Sequence, residues 1–257
     1  MNCAVYTVTR NQYDRVVPSI KSLLVNSEVE KIYLLIEDDK FPVELPQEVE
    51  CINVSGQKYF RPTGPNNVYP WAFMSMMKVA LCKVLPDVDT VLALDVDTVI
   101  DGDIFMLWHY PIEDYYLAAV AEPDRSSDDK PYVNTSVALF NLAKLRDGKA
   151  DKMIQALNDR RFMFLEQDCI NELCRGEIAL LPSVYNKCDY TAPCDEPAIV
   201  NYAGIREWEE IPLCLKYMDL PWEEVRRPAK RRRRKIEVVE TSALSDEVPT
   251  GIFEEMN

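Results

Sequence analysis

The stretch Thr90-Val91-Leu92-Ala93-Leu94-Asp95-Val96-Asp97-Thr98 predicts the centre of the fold. A short apolar run that ends in turn signals is typical of a strand buried on both faces of a parallel sheet. In extended backbone, the i, i+2 spacing puts the carboxylates of Asp95 and Asp97 on one side. Ligands of open α/β sheets bind at the carboxyl ends of such strands, and paired carboxylates there suit Mg²⁺ or Mn²⁺.

The Asp-x-Asp pattern alone does not identify a metal site, because it occurs three times in this part of the chain. Asp87 and Asp89 precede the strand and therefore lie at its wrong end. The segment 101–103 has the glycine and the charges of a surface turn. Only Asp95 and Asp97 follow the strand at its carboxyl end. Position therefore favours this pair as metal ligands over the alternative of a solvated acidic turn.

Composition limits the classes of function. The chain has 257 residues and a formal net charge of −14, which suits one large α/β domain with or without appendages. An acidic body argues against a broad nucleic-acid-binding surface, so no nucleic acid partner is expected. We see neither a signal peptide nor a run approaching the ~18 apolar residues of a membrane span. Eight scattered cysteines without a Cys-x-x-Cys pair indicate reduced thiols, and we expect a cytoplasmic protein.

Strands and helices alternate along the chain, which predicts an α/β fold with a largely parallel central sheet. The predicted strands are 3–9, 31–36, 50–54, 90–94, 116–121, 132–141, 178–181 and 199–202. The predicted helices are 15–25, 71–84, 104–108, 142–157 with an interruption near Gly148, and 165–174. No glycine-rich phosphate loop is present, so a metal and side chains would have to hold the phosphates of any bound nucleotide.

Seven segments occur in the order and on the elements of one known family. They are Thr9-Arg10-Asn11-Gln12-Tyr13, Lys78, Leu94-Asp95-Val96-Asp97-Thr98, Asn134-Thr135-Ser136, Glu166-Gln167-Asp168-Cys169-Ile170-Asn171, Leu181-Pro182 with Tyr185-Asn186, and the stretch from Ile199 to Trp208. The chain thereby resembles the retaining, nucleotide-sugar-dependent glycosyltransferases of family 8. The resemblance implies a GT-A fold, with a Rossmann-like, mostly parallel central sheet flanked by helices and a smaller acceptor-side sheet.

The resemblance also implies a domain division and a set of site residues. The glycosyltransferase domain would span 1–220, with a nucleotide-binding half at 1–105 and a donor-sugar and acceptor half at 106–220. The implied ligands of Mn²⁺ or Mg²⁺ are Asp95, Asp97 and Asn201, and the implied catalytic residues are Glu166, Gln167 and Asp168. The implied nucleotide-sugar-binding residues are Thr7, Thr9, Tyr13, Lys78, Asp95, Val96, Asn134, Gly204 and Arg206.

Four residues depart from the family pattern. Asn201 stands where the family has a histidine metal ligand, and a neutral amide oxygen is a weaker ligand than imidazole for Mn²⁺. Glu166 replaces an aspartate, and Ser136 replaces a glycine. Arg206 replaces the lysine that meets the pyrophosphate, and arginine keeps the charge while offering two parallel donors.

The implied activity is retaining transfer of a hexose from a UDP-sugar to a glycan, lipid-linked or protein acceptor. Asn201 and Glu166 motivate an alternative, a catalytically weak nucleotide-sugar-binding protein on the same fold. A nucleotidyltransferase also uses paired aspartates, but it normally has the glycine-rich loop that is missing here. Structural alternatives also stand for single residues: Tyr13 as a half-buried helix-entry aromatic, Lys78 as a solvated lysine, and the acids of Glu166–Asn171 as ordinary helix N-terminal residues.

The residues from 221 to 257 change character to a basic block and then an acidic tail, which we expect to be flexible. The basic run 226–235 is either solvated or docks to an anionic membrane surface. In the second case, apolar residues between 213 and 222 would add an interfacial contact, and the protein would lie peripherally on the inner face of a membrane.

Overall fold

The predicted strand Thr90–Leu94 is the central strand of a seven-stranded sheet. The computed structural model describes residues 1–67, 73–127, 130–205 and 208–225, apart from the side chain of residue 209. Within these ranges the strands are β1 Cys3–Thr7, β2 Lys31–Ile36, β3 Val49–Asn53, β4 Thr90–Leu94, β5 Thr98–Ile100, β6 Leu117–Ala121, β7 Val133–Asn141, β8 Ile178–Leu181 and β9 Ile199–Asn201. The eight predicted strands are all present, and β5 is an additional one.

Helices cover both faces of this sheet. In the described part of the chain they are α1 Tyr13–Asn26, α2 Leu81–Val84, α3 Phe105–Trp108, α4 Leu142–Leu145, α5 Lys149–Asp159, α6 Leu165–Leu173, α7 Pro212–Met218 and α8 Trp222–Val225. Gly148, with a φ of 103°, separates α4 from α5 at the predicted interruption. The helix predicted at 71–84 is different: over its described part, a 3₁₀ helix Ser75–Ala80 precedes the single turn of α2.

The sheet is mixed, with strand order β3-β2-β1-β4-β7-β6-β8. The pairs β1–β2, β2–β3, β1–β4 and β6–β8 are parallel, whereas β7 is antiparallel to both β4 and β6. Side chains of β4 alternate between two cores: Val91 and Ala93 pack in one, and Leu92 and Leu94 in the other. Burial on both faces explains why β4 is apolar without alternation, as predicted.

A register shift in β7 gives the sheet edge its shape. Ala119 of β6 pairs with Ala138, but its neighbour Val120 pairs with Asn134 instead of residue 137. The additional residues 135–137 therefore leave β6 and turn toward the end of β4, where the carbonyl of Ser136 accepts from the amide of Asp95 at 2.8 Å. Such irregularities re-aim side chains next to functional sites.

The strands β5 and β9 form a separate antiparallel ribbon just beyond β4. The ribbon packs closely because Gly102, which follows β5, lies against Ala198, which precedes β9. The backbone amides of Asp101 and Gly102 both donate to the carbonyl of Ala198, at 3.0 and 3.1 Å. The segment 101–103 is thus the predicted turn, and Asp101 accepts from Tyr217 of α7 at 2.6 Å.

The segment 213–222, whose apolar residues are predicted to add a membrane contact, packs in part against the fold. Cys214 and Tyr217 of α7 are 4% and 2% exposed and pack with Val99. Asn26 of α1 donates to the Tyr217 hydroxyl at 2.7 Å. Packing against α1 removes Tyr217 from the predicted membrane contact, whereas Leu215 is 39% exposed, and the membrane contact stays a prediction. Among the described residues, none of the helices combines the length and the apolarity that crossing a bilayer requires, and the basic run 226–235 lies outside them.

The close approach at Gly102 predicts the effect of a single methyl group. A Cβ at this position would lie 2.8 Å from the Ala198 Cα and 3.1 Å from its Cβ. We expect Gly102→Ala to lower the free energy of unfolding by about 1–3 kcal/mol, because backbone must shift to admit the methyl group. The midpoint of urea unfolding measures this effect.

Gly56→Ala is the matched control. No atom lies within 4 Å of a Cβ built there, so we expect no loss of stability. Equal midpoints for the two variants would show that the ribbon tolerates the additional methyl group and that the contact is not a packing constraint.

Candidate active site

The candidate site lies at the sheet edge where β1, β4 and β6 end. These strands run in one direction and β7 in the other, so three carboxyl ends meet the beginning of β7. Thr9, Asp95 and Glu122 follow the three ends, and Asn134, which is buried, is the second residue of β7. Polar residues from four distant parts of the sequence are therefore neighbours at the edge predicted to bind ligands.

Asp95 and Asp97 lie in a tight turn between β4 and β5. The hydroxyl and the amide of Thr98 both donate to the Asp95 carbonyl, at 2.7 and 3.2 Å, and Val96 is buried beneath the turn. The expectation of extended backbone from Asp95 to Asp97 was wrong, because these hydrogen bonds accompany a turn at residues 96–97. The carboxylates nevertheless interact, since Asp95 contributes to raising the pKa of Asp97.

A buried ammonium group lies beneath the first aspartate. Lys78 is 2% exposed, and its Nζ contacts Asp95 Oδ1 at 2.6 Å, the Thr135 carbonyl at 3.0 Å and Glu166 Oε1 at 3.7 Å. Burial, the largest influence, lowers the pKa of Lys78, but Asp95 and Glu166 more than offset it, and the net shift is upward. The alternative of a solvated lysine is therefore wrong.

Lys78 contacts the carboxyl groups of Asp95 and Glu166, and it balances the charge of Glu166 less well. Burial raises its pKa, Lys78 lowers it, and Asp95 raises it again. The net shift favours the neutral acid, whereas the shift of Lys78 favours its charged form. Lys78 is therefore charged and pairs mainly with Asp95, because its contact with Asp95 is more than 1 Å shorter than its contact with Glu166.

Asp97 supplies the second carboxylate of the pair, beside Asp95. Burial is the largest influence and raises the pKa of Asp97 to about 6, with Asp95 adding to the shift and Arg15 and Lys78 opposing it. A half-buried carboxylate with a raised pKa beside a second acid is typical of a site that binds a cation or a proton.

The ribbon brings Asn201 to the same corner. Thr98 pairs with Asn201, and the amide of Tyr202 donates to the Asp97 carbonyl at 2.9 Å. Asn201 Oδ1 accepts from the amide of Ala203 at 3.0 Å, which leaves the second lone pair of that oxygen. Two carboxylates and an amide oxygen are a hard donor set that fits Mg²⁺ or Mn²⁺. Within the described ranges, no cluster of three or more His, Cys, Asp and Glu residues offers another metal site.

The predicted catalytic residues of α6 have unequal surroundings. Gln167 Oε1 accepts from the Thr135 amide at 3.0 Å, which ties this side chain to the site edge. Asp168 accepts from the Tyr132 hydroxyl at 2.6 Å through Oδ1 and from the Phe164 amide at 2.8 Å through Oδ2. Asp168 therefore holds the turn at the start of α6, where Leu165 has the positive φ of 47° that a non-glycine residue adopts at a cost.

Glu122 is a site residue that the sequence interpretation missed. It is 3% exposed, and its Oε1 accepts from Asn134 at 2.8 Å and from Gln167 at 3.1 Å. It follows the apolar run Leu117–Ala121 just as Asp95 follows β4, so the same positional rule could have found it. The acidic and basic residues that directly follow it are typical of a charged loop and conceal it in the sequence.

The end of β1 holds the predicted nucleotide-side residues. Thr7 closes β1, and Thr9 is buried with its hydroxyl bonded to Gln12 at 2.8 Å. Tyr13 is 7% exposed; its hydroxyl donates to Asp38 at 2.9 Å, and its ring contacts Phe41. The aromatic ring is thus more deeply buried than either reading of Tyr13 assumed.

The segment after β9 returns to the site beside α1. Gly204 has a φ of 80°, a conformation that favours glycine. Arg15, which the sequence interpretation did not single out, donates to the Ile205 carbonyl, and its guanidinium lies 5.8 Å from the Trp208 ring. Arg206, the predicted pyrophosphate ligand, lies outside the described residues.

Comparison with known proteins supplies a family. A model of glycosyl transferase family 8 matches residues 3–196. A Haemophilus influenzae protein provisionally named a glycosyltransferase is 24% identical over 123 residues, a match that spans 42% of this chain and 37% of the relative's length.

Solved structures agree on the fold. An active-site mutant of LgtC has a TM-score of 0.67 and 17% identity, covering 88% of this chain and 100% of that one. The galactosyltransferase LgtC in complex with donor and acceptor sugar analogues has a TM-score of 0.65 and 18% identity, covering 87% and 98%. GlyE of Streptococcus pneumoniae TIGR4 has a TM-score of 0.67 and 17% identity, covering 87% and 62%. At these identities the likeness shows the fold alone.

The raised pKa of Asp97 predicts that ionisation of this carboxyl group lowers the free energy of unfolding. With a pKa of about 6 in the folded protein and 3.8 as its ordinary value, the folded state loses stability as pH rises through this window. We expect Asp97→Asn to raise the free energy of unfolding of the metal-free protein by about 1–3 kcal/mol at pH 8 and to change it little at pH 4. Urea unfolding in EDTA at both pH values measures the difference.

Asp87→Asn is the control, because Asp87 belongs to the neighbouring Asp-x-Asp pair and is exposed. We expect it to leave the unfolding midpoint unchanged at both pH values. A loss of stability in Asp97→Asn at pH 8 would mean that the native carboxylate is already well compensated.

Proposed function

The chain belongs to glycosyl transferase family 8 and has the GT-A fold, and from this membership and the geometry of the sheet edge we propose that it is a retaining, metal-dependent glycosyltransferase. The donor is a UDP-sugar, and the reaction moves its hexose to a glycan, lipid-linked or protein acceptor. The observation that carries the proposal is the pair Asp95 and Asp97 at the end of the central strand, with Lys78 buried beneath it.

The proposed metal ligands are Asp95, Asp97 and Asn201, and the cation is Mn²⁺ or Mg²⁺. A divalent ion there would stabilise the negative charge that develops on the leaving diphosphate. Lys78 orients Asp95 by occupying its Oδ1, so that Oδ2 is the oxygen left for the cation. Arg206 is proposed as a further cationic group for the diphosphate, in keeping with the family resemblance.

Residues on the other side of the edge are proposed to meet the sugar. Cleavage of the anomeric carbon–oxygen bond makes an oxocarbenium-like centre, which polar and anionic groups stabilise. Gln167 and Glu122 share a hydrogen bond and lie beside Asn134, which suits contact with sugar hydroxyls. Asp168 contributes by holding the turn before Gln167, since both of its oxygens are engaged.

The remaining predicted roles follow the same division of the chain. We assign the nucleotide to the half at 1–105, with Thr7, Thr9 and Tyr13 at the end of β1, and the donor sugar and acceptor to 106–220. Val96 and Gly204 would contact the nucleotide-sugar through backbone. LgtC has been crystallised with donor and acceptor sugar analogues, which favours a sugar-containing acceptor here as well.

Loss of the aspartate pair tests the assignment. We expect the purified protein to release UDP from at least one UDP-sugar in the presence of Mn²⁺ or Mg²⁺, and Asp95→Ala with Asp97→Ala to reduce this by ~100-fold or more, because the charge on the leaving group is no longer balanced. A coupled assay for UDP gives the rate, and calorimetry gives the metal-dependent affinity for UDP.

The double variant Asp87→Ala with Asp89→Ala is the matched control, because it removes the same pattern from the opposite end of β4. We expect near wild-type turnover and UDP affinity from it. Unchanged metal-dependent UDP affinity in the Asp95 and Asp97 variant would rule out this pair as the metal site.

Retention makes a separate prediction about stereochemistry. When water replaces the acceptor, we expect the first-formed free hexose to have the anomeric configuration of the donor. In a retaining reaction, the new bond to the anomeric carbon lies on the face of the sugar from which the diphosphate departed. Proton NMR followed from the start of the reaction detects this before the free sugar equilibrates. Initial formation of the opposite anomer would contradict a retaining mechanism and leave the family assignment intact.

A further inference from the structure

A line of buried polar side chains connects β9 with the end of β6. Asn201 Nδ2 donates to Asn186 Oδ1 at 3.0 Å, Asn186 Nδ2 donates to Asn134 Oδ1 at 2.9 Å, and Asn134 Nδ2 donates to Glu122 Oε1 at 2.8 Å. The three amides and the carboxylate are 4%, 0%, 5% and 3% exposed, respectively. Because an amide has a donor end and an acceptor end, each member determines the orientation of the next. We call this line the amide relay.

The direction of the amide relay is fixed at both ends. Glu122 meets donors only, from Asn134, Gln167 and Arg125, so the nitrogen of Asn134 must face it. At the other end, the amide of Ala203 donates to Asn201 Oδ1. The nitrogen of Asn201 therefore faces Asn186, and its oxygen is on the opposite side.

We propose that Asn186 is a positioning residue that acts through Asn201: by accepting from the nitrogen of Asn201, it keeps the amide oxygen available to a divalent cation beside Asp95 and Asp97. This inference rests on the proposed function. An amide nitrogen cannot ligate a cation, so an amide rotated by half a turn would lose the third ligand. The side chains that orient metal ligands commonly change metal affinity by ~10–100-fold when they are removed.

The amide relay also gives meaning to the asparagine at a position where the family resemblance implies histidine. A ligand lost by chance would leave polar atoms without partners in a buried site. In the described part of the chain, the only buried side-chain atoms without hydrogen-bond partners belong to Glu48 and Ser75, which are not members of the amide relay. Asn201 is thus built into its surroundings, which favours an asparagine that serves as a ligand over an eroded site.

A purely structural role for Asn186 makes a different prediction, and Asn66 provides the comparison. Asn66 is also 0% exposed; it donates to the carbonyls of Leu157 and Arg160 and accepts from the amide of Phe162. These partners lie at and just after the end of α5, and none of them belongs to the candidate site at the sheet edge. Leucine is similar in volume to asparagine, so replacing either asparagine by leucine removes a buried amide without a large change in volume.

The test measures Mn²⁺ affinity by calorimetry in the presence of saturating UDP, together with thermal unfolding, for wild type, Asn186→Leu and Asn66→Leu. We expect both variants to lose thermal stability, Asn186→Leu to bind Mn²⁺ at least ~10-fold more weakly than wild type, and Asn66→Leu to stay within ~2-fold. If Asn186→Leu does not fold, Asn186→Ser replaces it with the same expectation, because serine is too short to reach the nitrogen of Asn201.

Equal Mn²⁺ affinity for the Asn186 and Asn66 variants would overturn the inference and leave the proposed function standing. A wild-type protein that binds neither UDP nor Mn²⁺ would refute the proposed function itself. A second measurement needs no metal: Glu122→Gln makes the accepting end of the amide relay ambiguous, and we expect the side-chain NH₂ signals of Asn201 in a ¹⁵N–¹H spectrum to shift. Unmoved signals would overturn the claim that Glu122 sets the direction.

Discussion

The buried ammonium of Lys78 is the interaction on which the site depends. It joins the end of β4 to the turn of β7 and to α6, through Asp95, Thr135 and Glu166. Taking a charge out of water costs several kcal/mol per ion, so such a group persists only where its partners are held in place. The sheet, the register shift in β7 and the start of α6 supply those partners. The same contact orients Asp95, and the fold and the proposed chemistry therefore share one constraint.

The location of the site could be predicted from the sequence because it follows from sheet geometry. An apolar run buried on both faces marks β4, and polar residues at its carboxyl end must lie where ligands bind. The rule applied equally to Glu122 at the end of β6, where the charged residues that follow concealed it. It failed for the local conformation of Asp95 and Asp97, where the hydroxyl and the amide of Thr98 both donate to the Asp95 carbonyl and the backbone forms a turn.

The contacts between distant residues could not be predicted, because no local pattern encodes them. Asn134 and Asn186 are 52 positions apart, and each is an ordinary polar residue in its own segment. Their hydrogen bond joins the beginning of β7 to the segment that precedes β9. The same holds for α7, whose Tyr217 is predicted to contact a membrane but is buried beside α1 in the fold. Tertiary partners, and not composition, determine which surface is exposed.

The balance of charge around Lys78 explains why an amide can stand where the family resemblance implies imidazole. The carboxyl groups of Asp95 and Glu166 contact Lys78, Asp97 lies beside Asp95, and Arg15 and Lys78 both act on Asp97, so the acids outnumber the cationic side chains. Under the proposed function, a divalent cation would offset that excess whichever neutral side chain completes the donor set. Replacing nitrogen by oxygen removes a ligand that suits Mn²⁺ and supplies one that suits Mg²⁺. Under the proposed function, the carboxylates would supply most of the attraction for the cation, and Asn201 would shift the preference among cations toward the harder ion.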